Sequence, residues 1–313
     1  MSEGTGPGPA IVALGEPLIE FNQHRADAPR EYLQGFGGDT SNTAIAAARL
    51  GARVGYVTRV GNDAFGRQLI DLWKHEHVDT RGVAIDPDAP TGVYFVTHGP
   101  KGHEFSYLRA NSAASRMRPE TLPADIIRGA QLLHVSGISQ AISNSACDAV
   151  SAAIALSKVA GAKIAYDTNL RLKLWPLERA RTVILATIPQ CDWCLPSLDD
   201  AQLLFDVNVT EAVLAALHGA GAKIIVLKCG ADGCAVSDGK RVERISPHRV
   251  TSVDATGAGD CFDGAFAART IAGDDVFAAA RYANAAAALA TTGFGAVAPL
   301  PRDADVRALL GRS

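Results

Sequence analysis

The sequence has no surplus of either charge. Its 313 residues carry 30 Lys and Arg against 33 Asp and Glu, a formal net charge of −3, and no basic block interrupts this balance. A nucleic-acid partner is not expected, because a polyanion is held by clustered basic groups. Long apolar runs are missing too. The alanine-rich stretch 278–290 is interrupted by Arg281 and Asn284, short of the ~20 residues that cross a bilayer, so no membrane partner is expected. The opening MSEGTGPGPA lacks the basic and apolar regions of a secretory signal, so residues 1–10 read as a flexible tail and the protein as cytoplasmic. Cysteine is sparse and scattered, at 147, 191, 194, 229, 234 and 261, which fits reduced thiols better than a disulfide framework. The single Cys191-x-x-Cys194 pair has no second ligand pair to make a zinc site.

Two nucleotide-binding loops are also absent. The only Gly-Lys pair, Gly239-Lys240, is followed by Arg241, so there is no P-loop. Gly15 is followed by Glu16-Pro17, which breaks any dinucleotide fingerprint after the first strand. What is present is a chain 48% hydrophobic, long enough for one large core. Apolar runs at 11–14, 54–58, 132–135, 164–166 and 224–227 alternate with stretches such as 42–50 and 146–160, whose apolar positions recur at helical spacing. That alternation predicts an α/β fold with a mostly parallel sheet flanked by helices. Segments 18–36 and 91–111 break the rhythm, being richer in polar, aromatic and β-branched residues, and predict a small second sheet inserted as a lid into an α/β domain of residues 11–313.

Two glycine-rich motifs carry the chemistry. Residues 254–266, DATGAGDCFDGAF, follow a β-rich approach at 249–253 and lead into a helical pattern. Gly257 and Gly259 let the backbone turn and leave amides open at a helix N-terminus, a ready anion site. Asp260 in the first helical turn fits either an acid favoured by the helix dipole or a base taking a proton from an attacking hydroxyl. Residues 35–42, GFGGDTSN, stand before the first long helix. Gly37 and Gly38 allow a polyhydroxylated ligand close to the backbone, Asp39 and Asn42 offer it hydrogen bonds, and Asp39, Thr40 or Ser41 can equally cap the helix.

In their order and separation these two motifs resemble the signatures of the ribokinase-like, PfkB-type carbohydrate kinases. The resemblance covers residues 11 to about 301. It implies a Rossmann-like ribokinase fold with a β-sheet lid, and ATP-dependent phosphorylation of a sugar hydroxyl. It further implies Asp260 as catalytic base, with the amides of Gly257, Ala258 and Gly259 stabilising the transferring phosphoryl group. Residues 227–233, LKCGADG, resemble the nucleotide loop, which puts Lys228, Gly230 and Gly233 near ATP. Asn284 matches a position beside the adenine, and Asn169 and Ser197 match positions on the nucleotide side. Asp254 and Thr256 match a monovalent-cation site, with K+ the expected ion. Where the family has Asn-x-x-Glu, which orders Mg2+, this chain reads Ser197-Leu198-Asp199-Asp200, leaving Asp200 as the metal partner. A homo-oligomer, such as a dimer through the lid, is a further implication of the resemblance.

A sugar acid would need a partner for its carboxylate, and the planar fork of arginine suits it best. Arg109 ends the second lid segment and Arg171 follows the core strand in DTNLR. With Tyr94, Tyr107, the GEPLIEF opening and the Ser-Gly-Ile at 136–138, they resemble the 2-keto-3-deoxygluconate kinase branch. There the matching residues touch the sugar acid. The loop 293–299, GFGAVAP, departs from the branch in carrying no acid. The expected reaction is transfer of the ATP γ-phosphoryl group to the C6 hydroxyl of 2-keto-3-deoxygluconate. A fructokinase- or ribokinase-like specificity and a non-catalytic sugar-binding regulator are the alternatives.

Overall fold

The computed structural model describes residues 8–23, 30–99 and 102–311. Residues 1–7 of the expected tail, and residues 24–29 and 100–101 of the expected lid segments, lie outside the described residues. Ala10 does not behave as tail. It is buried, and its carbonyl accepts the amides of Gln131 and Leu132 at 2.8 and 3.1 Å, which ties the chain to the sheet one residue before the expected boundary.

The strands in chain order are β1 (Ile11–Leu14), β2 (Leu18–Gln23), β3 (Tyr32–Gly37), β4 (Val54–Gly61), β5 (Val83–Asp86), β6 (Val93–Gly99) and β7 (Gly102–Leu108). They continue with β8 (Leu132–Ser136), β9 (Lys163–Asp167), β10 (Trp193–Cys194), β11 (Ile224–Lys228), β12 (Cys234–Ser237) and β13 (Val242–Ile245). Nine of them form one sheet in the order β13-β12-β11-β10-β9-β8-β1-β4-β5. Every pair from β11 to β5 is parallel, and β12 and β13 add an antiparallel edge. The inner strands β1 and β8 read IVAL and LLHVS and are buried throughout, as strands must be when helices cover both faces. The chain leaves β1 for β4 and β5 on one side and returns for β8 to β11 on the other. The order therefore switches between β1 and β8, and ligands bind outside the carboxyl ends of strands at such a point.

β2, β3, β6 and β7 form the smaller sheet, in the order β3-β2-β6-β7. Its register aligns Gly35, Glu20, Tyr94 and Tyr107 in one row across all four strands. Because side chains alternate along a strand, Leu18, Glu20, Tyr94 and Val96 share one face. Ile19, Phe21, Phe36 and Phe95 on the opposite face join the main core, where Phe21 meets Phe65 edge-on at 5.8 Å. The lid is thus anchored by its aromatic face and presents its polar row elsewhere.

Two local readings are corrected. Residues 249–253 form no strand, since the amides of Val253 and Asp254 both turn to the Thr291 carbonyl instead of pairing with an edge. Neither Asp39, Thr40 nor Ser41 caps the first helix, Asp39–Arg49; its N-cap is Gly38. At φ +101° Gly38 occupies backbone space that side chains avoid, and a Cβ there would stand 2.4 Å from the Glu16 carbonyl. The Asp39–Arg49 helix crosses the helix Ala258–Ile271 at Gly264, where a Cβ would lie 2.5 Å from the Thr43 carbonyl. All six cysteines are unpaired. No helix among the described residues is long and apolar enough to cross a membrane.

Candidate active site

The two glycine motifs, far apart in sequence, meet at Asp260. Gly257 adopts φ +77° as N-cap of the Ala258–Ile271 helix, packed so closely on Ala296 that a Cβ would lie 3.0 Å from it. The Ala258 amide is already engaged by the Ala255 carbonyl at 3.2 Å, so Ala258 is not an open donor as expected. The amides of Gly259 and Asp260 have no protein partner, as the first turn of a helix dictates, and stand open at the helix N-terminus. Asp260 is half-buried, and its Oδ2 accepts Asn42 Nδ2 at 2.8 Å across a sequence separation of 218. Its backbone carbonyl accepts Thr43 Oγ1 at 3.2 Å. Burial, then the nearby Asp39 and Asp167 carboxylates, push the Asp260 carboxyl up to about 7 against the opposing Asn42 hydrogen bond and Lys228 charge. That places it where a general base works near neutral pH. Asn42 Oδ1, on the other side of the same amide, is buried without a partner.

Asp39 lies one helical turn from Asn42. It accepts the Thr40 amide on Oδ1 at 2.8 Å and Asn169 Nδ2 on Oδ2 at 3.0 Å, and burial raises its carboxyl above the usual range. Asn169, expected on the nucleotide side, donates from its side-chain amide to Asp39, with backbone φ +30° and its backbone amide bonded to Asp167. The turn after β9 aims it inward.

The small sheet contributes the next group of side chains. A Cβ on Gly37 would stand 2.7 Å from Tyr94 Oη, so only glycine lets the tyrosine lie against the backbone here. Tyr94 Oη donates to Glu20 Oε2, and Tyr107 stacks on Tyr94 at 5.8 Å. Arg109 packs over Tyr107 at 5.5 Å and donates from Nη2 to Glu16, whose other oxygen accepts Ser112 Oγ at 2.7 Å. The Glu16 side chain is fully buried. Burial raises its carboxyl and Arg109 works against that. Arg109 Nε is buried without a partner. Arg171 does not join this group; it is exposed, donating to the Leu170 carbonyl at 3.0 Å. Glu16 and Glu20 were not singled out as site residues. Their signal was two acids inside the otherwise apolar stretch GEPLIEF, where burial demands partners.

The expected nucleotide residues are more dispersed. Lys228 ends β11. Its ammonium is turned inward, 3.0 Å from Asp167 Oδ2 and 3.0 Å from both oxygens of Asp263. Gly230 and Gly233 shape the exposed turn after β11, both at positive φ. Asn284 is buried and donates to the Ser246 carbonyl at 2.8 Å. Ser197 caps the helix Leu198–Phe205 by accepting the Asp200 amide, and Asp200 Oδ2 accepts the Leu170 amide at 3.0 Å. Asp254 ties down two loops, accepting Thr256 N and Oγ1 on Oδ1 and Gly295 N on Oδ2. Among the described residues no three His, Cys, Asp or Glu side chains converge on a metal position.

The profile described as pfkB family carbohydrate kinase matches residues 10–303. The chain is 36% identical over 318 residues to 2-dehydro-3-deoxygluconokinase of Thermoproteus tenax, covering 97% of this chain and 96% of that one. It is 33% identical over 318 residues to fructokinase-1 of Zea mays, covering 97% and 98%. An E. coli structure in complex with ATP and Mg2+ superposes with a TM-score of 0.90 at 27% identity, covering 97% of this chain and all of that one. A profile match over nearly its whole length places this protein in the pfkB family of carbohydrate kinases.

Proposed function

We propose that this protein is an ATP-dependent 2-dehydro-3-deoxygluconate kinase acting on the C6 hydroxyl. The observation that carries the sugar-acid reading is Arg109. One edge of its guanidinium is held by Glu16, while Nε is buried without an acceptor. A donor left unpaired costs ~1–3 kcal/mol, so the site favours a ligand oxygen in that position. The Thermoproteus tenax relative supports the same reading.

In the proposed reaction the C6 oxygen forms a bond to the γ-phosphorus of ATP as the bond to the bridging oxygen breaks, and ADP leaves. Asp260 takes the hydroxyl proton. Asn42 holds Asp260 by its Nδ2 and, with Oδ1 unpaired, accepts from a sugar hydroxyl. The open amides of Gly259 and Asp260 face the charge on the transferring phosphoryl oxygens. Tyr94, Tyr107 and Glu20 wall the sugar and keep out water that would otherwise attack ATP.

The donor set fits Mg2+ bound mainly by nucleotide and water, since among the described residues no carboxylate cage is present and one Asp200 oxygen is already engaged. Bound there, magnesium would neutralise phosphate charge, with Asp200 its protein partner. The carboxylate of Asp254, with Thr256, would face a monovalent cation.

Glu16 favours a second reading. Because it neutralises Arg109, the pocket wall carries no net charge from this pair, which suits a neutral sugar such as that of the Zea mays fructokinase. ADP release measured across 2-dehydro-3-deoxygluconate, fructose and ribose separates the two. Arg109→Ala should raise KM for the sugar acid at least tenfold and leave any neutral-sugar KM within a factor of three; equal losses on both would remove the carboxylate argument.

A further inference from the structure

Directly under the Asp260 turn lies an ion cluster that the proposed reaction does not use. Lys228 ends β11, Asp167 ends β9, and Asp263 stands one turn after Asp260 on the same helix. The Lys228 ammonium reaches Asp167 Oδ2 and both Asp263 oxygens at 3.0 Å each. The side chains of Asp263 and Asp167 are 1% and 6% exposed, so none of the three carries its charge in water. The same lysine lies against the anion turn, its Nζ 3.8 Å from where a Gly259 Cβ would be. The cluster therefore touches the catalytic helix from below at two places, through Asp263 and under Gly259.

We propose that Lys228, Asp167 and Asp263 act as a positioning cluster for Asp260, fastening its helix to the carboxyl ends of the sheet and, through the Lys228 charge, holding Asp260 ready to accept a proton. This rests on the reading of Asp260 as the base. Two buried carboxyls sharing one ammonium cannot both ionise cheaply, so Asp263 keeps the shared proton and Asp167 is the ionised partner. Burial raises Asp263 well above the carboxylate range, whereas for Asp167 burial is outweighed by the Lys228 charge together with the hydrogen bonds from Asp263 and Lys228. Burial also works against the Lys228 charge, but the two aspartates outweigh it.

The groups facing Asp260 come from every element around it. Asp39 and Asn42 face it from the first helix, Asp167 from β9, Lys228 from β11, and Cys261 from its own helix. Tyr94 faces it from the lid, and His134 on β8 flanks Asp167 and Lys228, held neutral by burial at about 4. Lys228 is the cation among them that acts on Asp260. Removing it leaves the Asp39 and Asp167 carboxylates, which act in the opposite direction.

The test uses Lys228→Met, Lys228→Arg and the double variant Lys228→Met/Asp167→Asn, which deletes the ion pair as a unit. Asp260 is titrated by carboxyl 13C NMR, its signal assigned by loss in Asp260→Asn, and the acid limb of kcat/KM is followed in parallel. Lys228→Met should raise the Asp260 midpoint by ~1 pH unit, Lys228→Arg should leave it in place, and the double variant should return it toward wild type. Should the single variant fail to fold, the comparison runs between wild type, Lys228→Arg and the double variant. A midpoint unmoved in Lys228→Met, or a Lys228→Arg midpoint that moves upward, overturns the proposal, as does a double variant midpoint ~1 unit above wild type. A wild type that phosphorylates no sugar would sink the kinase reading, yet the NMR titration would still decide the cluster.

Discussion

Replacing Asp260 by asparagine should make the protein more stable and nearly inactive, and the two effects should have different pH dependences. The carboxyl lies at about 7 in the folded chain, pushed up by burial and by Asp39 and Asp167. An unfolded aspartate lies near ~3.9, so ionising Asp260 in place opposes folding. The sign follows from the upward direction of the shift. Below ~4 the side chain is neutral in both states and costs nothing; as pH rises from ~4 to about 7 the unfolded chain ionises while the folded one keeps its proton, so the folded protein loses stability relative to its neutral analogue, and above about 7 the loss is complete and constant. With each unit equal to ~1.36 kcal/mol, the cost at pH 8 is at most ~4 kcal/mol, and ~2–4 is expected once neighbours relax. Asparagine has the same shape, keeps an oxygen for Asn42 Nδ2, and never ionises. Thermal unfolding from pH 3 to 9 should therefore show curves that coincide below ~4, separate between ~4 and about 7 and run parallel above that, the variant melting several degrees higher at pH 8. Turnover should fall by ~10²–10⁴. A pH-independent difference in melting temperature, or a variant less stable at pH 8, would refute the reasoning.

Gly264→Ala should cost ~1–3 kcal/mol, read by chemical denaturation, because the new Cβ would lie 2.5 Å from the Thr43 carbonyl. Since Thr43 Oγ1 also holds the Asp260 carbonyl, kcat should fall with little change in nucleotide affinity. Glu16→Gln leaves the Arg109 charge nearly buried and without its counter-ion, so stability should fall by ~3 kcal/mol or more. The same change frees that charge for a ligand, and the KM ratio of neutral sugar to sugar acid should rise. An unchanged ratio would mean that Arg109 does not face the substrate.

The parts of the site written in contiguous sequence were legible. DATGAGDCFDGAF spells a turn, an open helix end and an acid, and those features need only their immediate neighbours. The strands at 11–14, 132–135 and 224–227 were legible for the same reason, each being a short apolar run that the sheet extends by at most one residue. What was not legible is direction. Lys228 ends a strand, and whether its side chain turns up to a ligand or inward to Asp167 and Asp263 depends on carboxylates from two other elements. That Asn169 turns its side chain to Asp39 was not legible either, because the φ +30° of its turn leaves no mark in DTNLR. The Gly38 cap went unseen because Asp39, Thr40 and Ser41 are all good capping residues, and only the close approach of the Glu16 carbonyl selects glycine. Glu16 itself gained meaning once Arg109 and Ser112 were brought to it across more than ninety residues.

The most direct test of the account is ADP release by the wild-type protein with MgATP and 2-dehydro-3-deoxygluconate, measured beside fructose and ribose at equal concentration. The account predicts a kcat/KM for the sugar acid at least tenfold above either neutral sugar, with phosphate appearing on C6 by 31P and 13C NMR. A preference for fructose or ribose, or phosphorylation at another carbon, would contradict it.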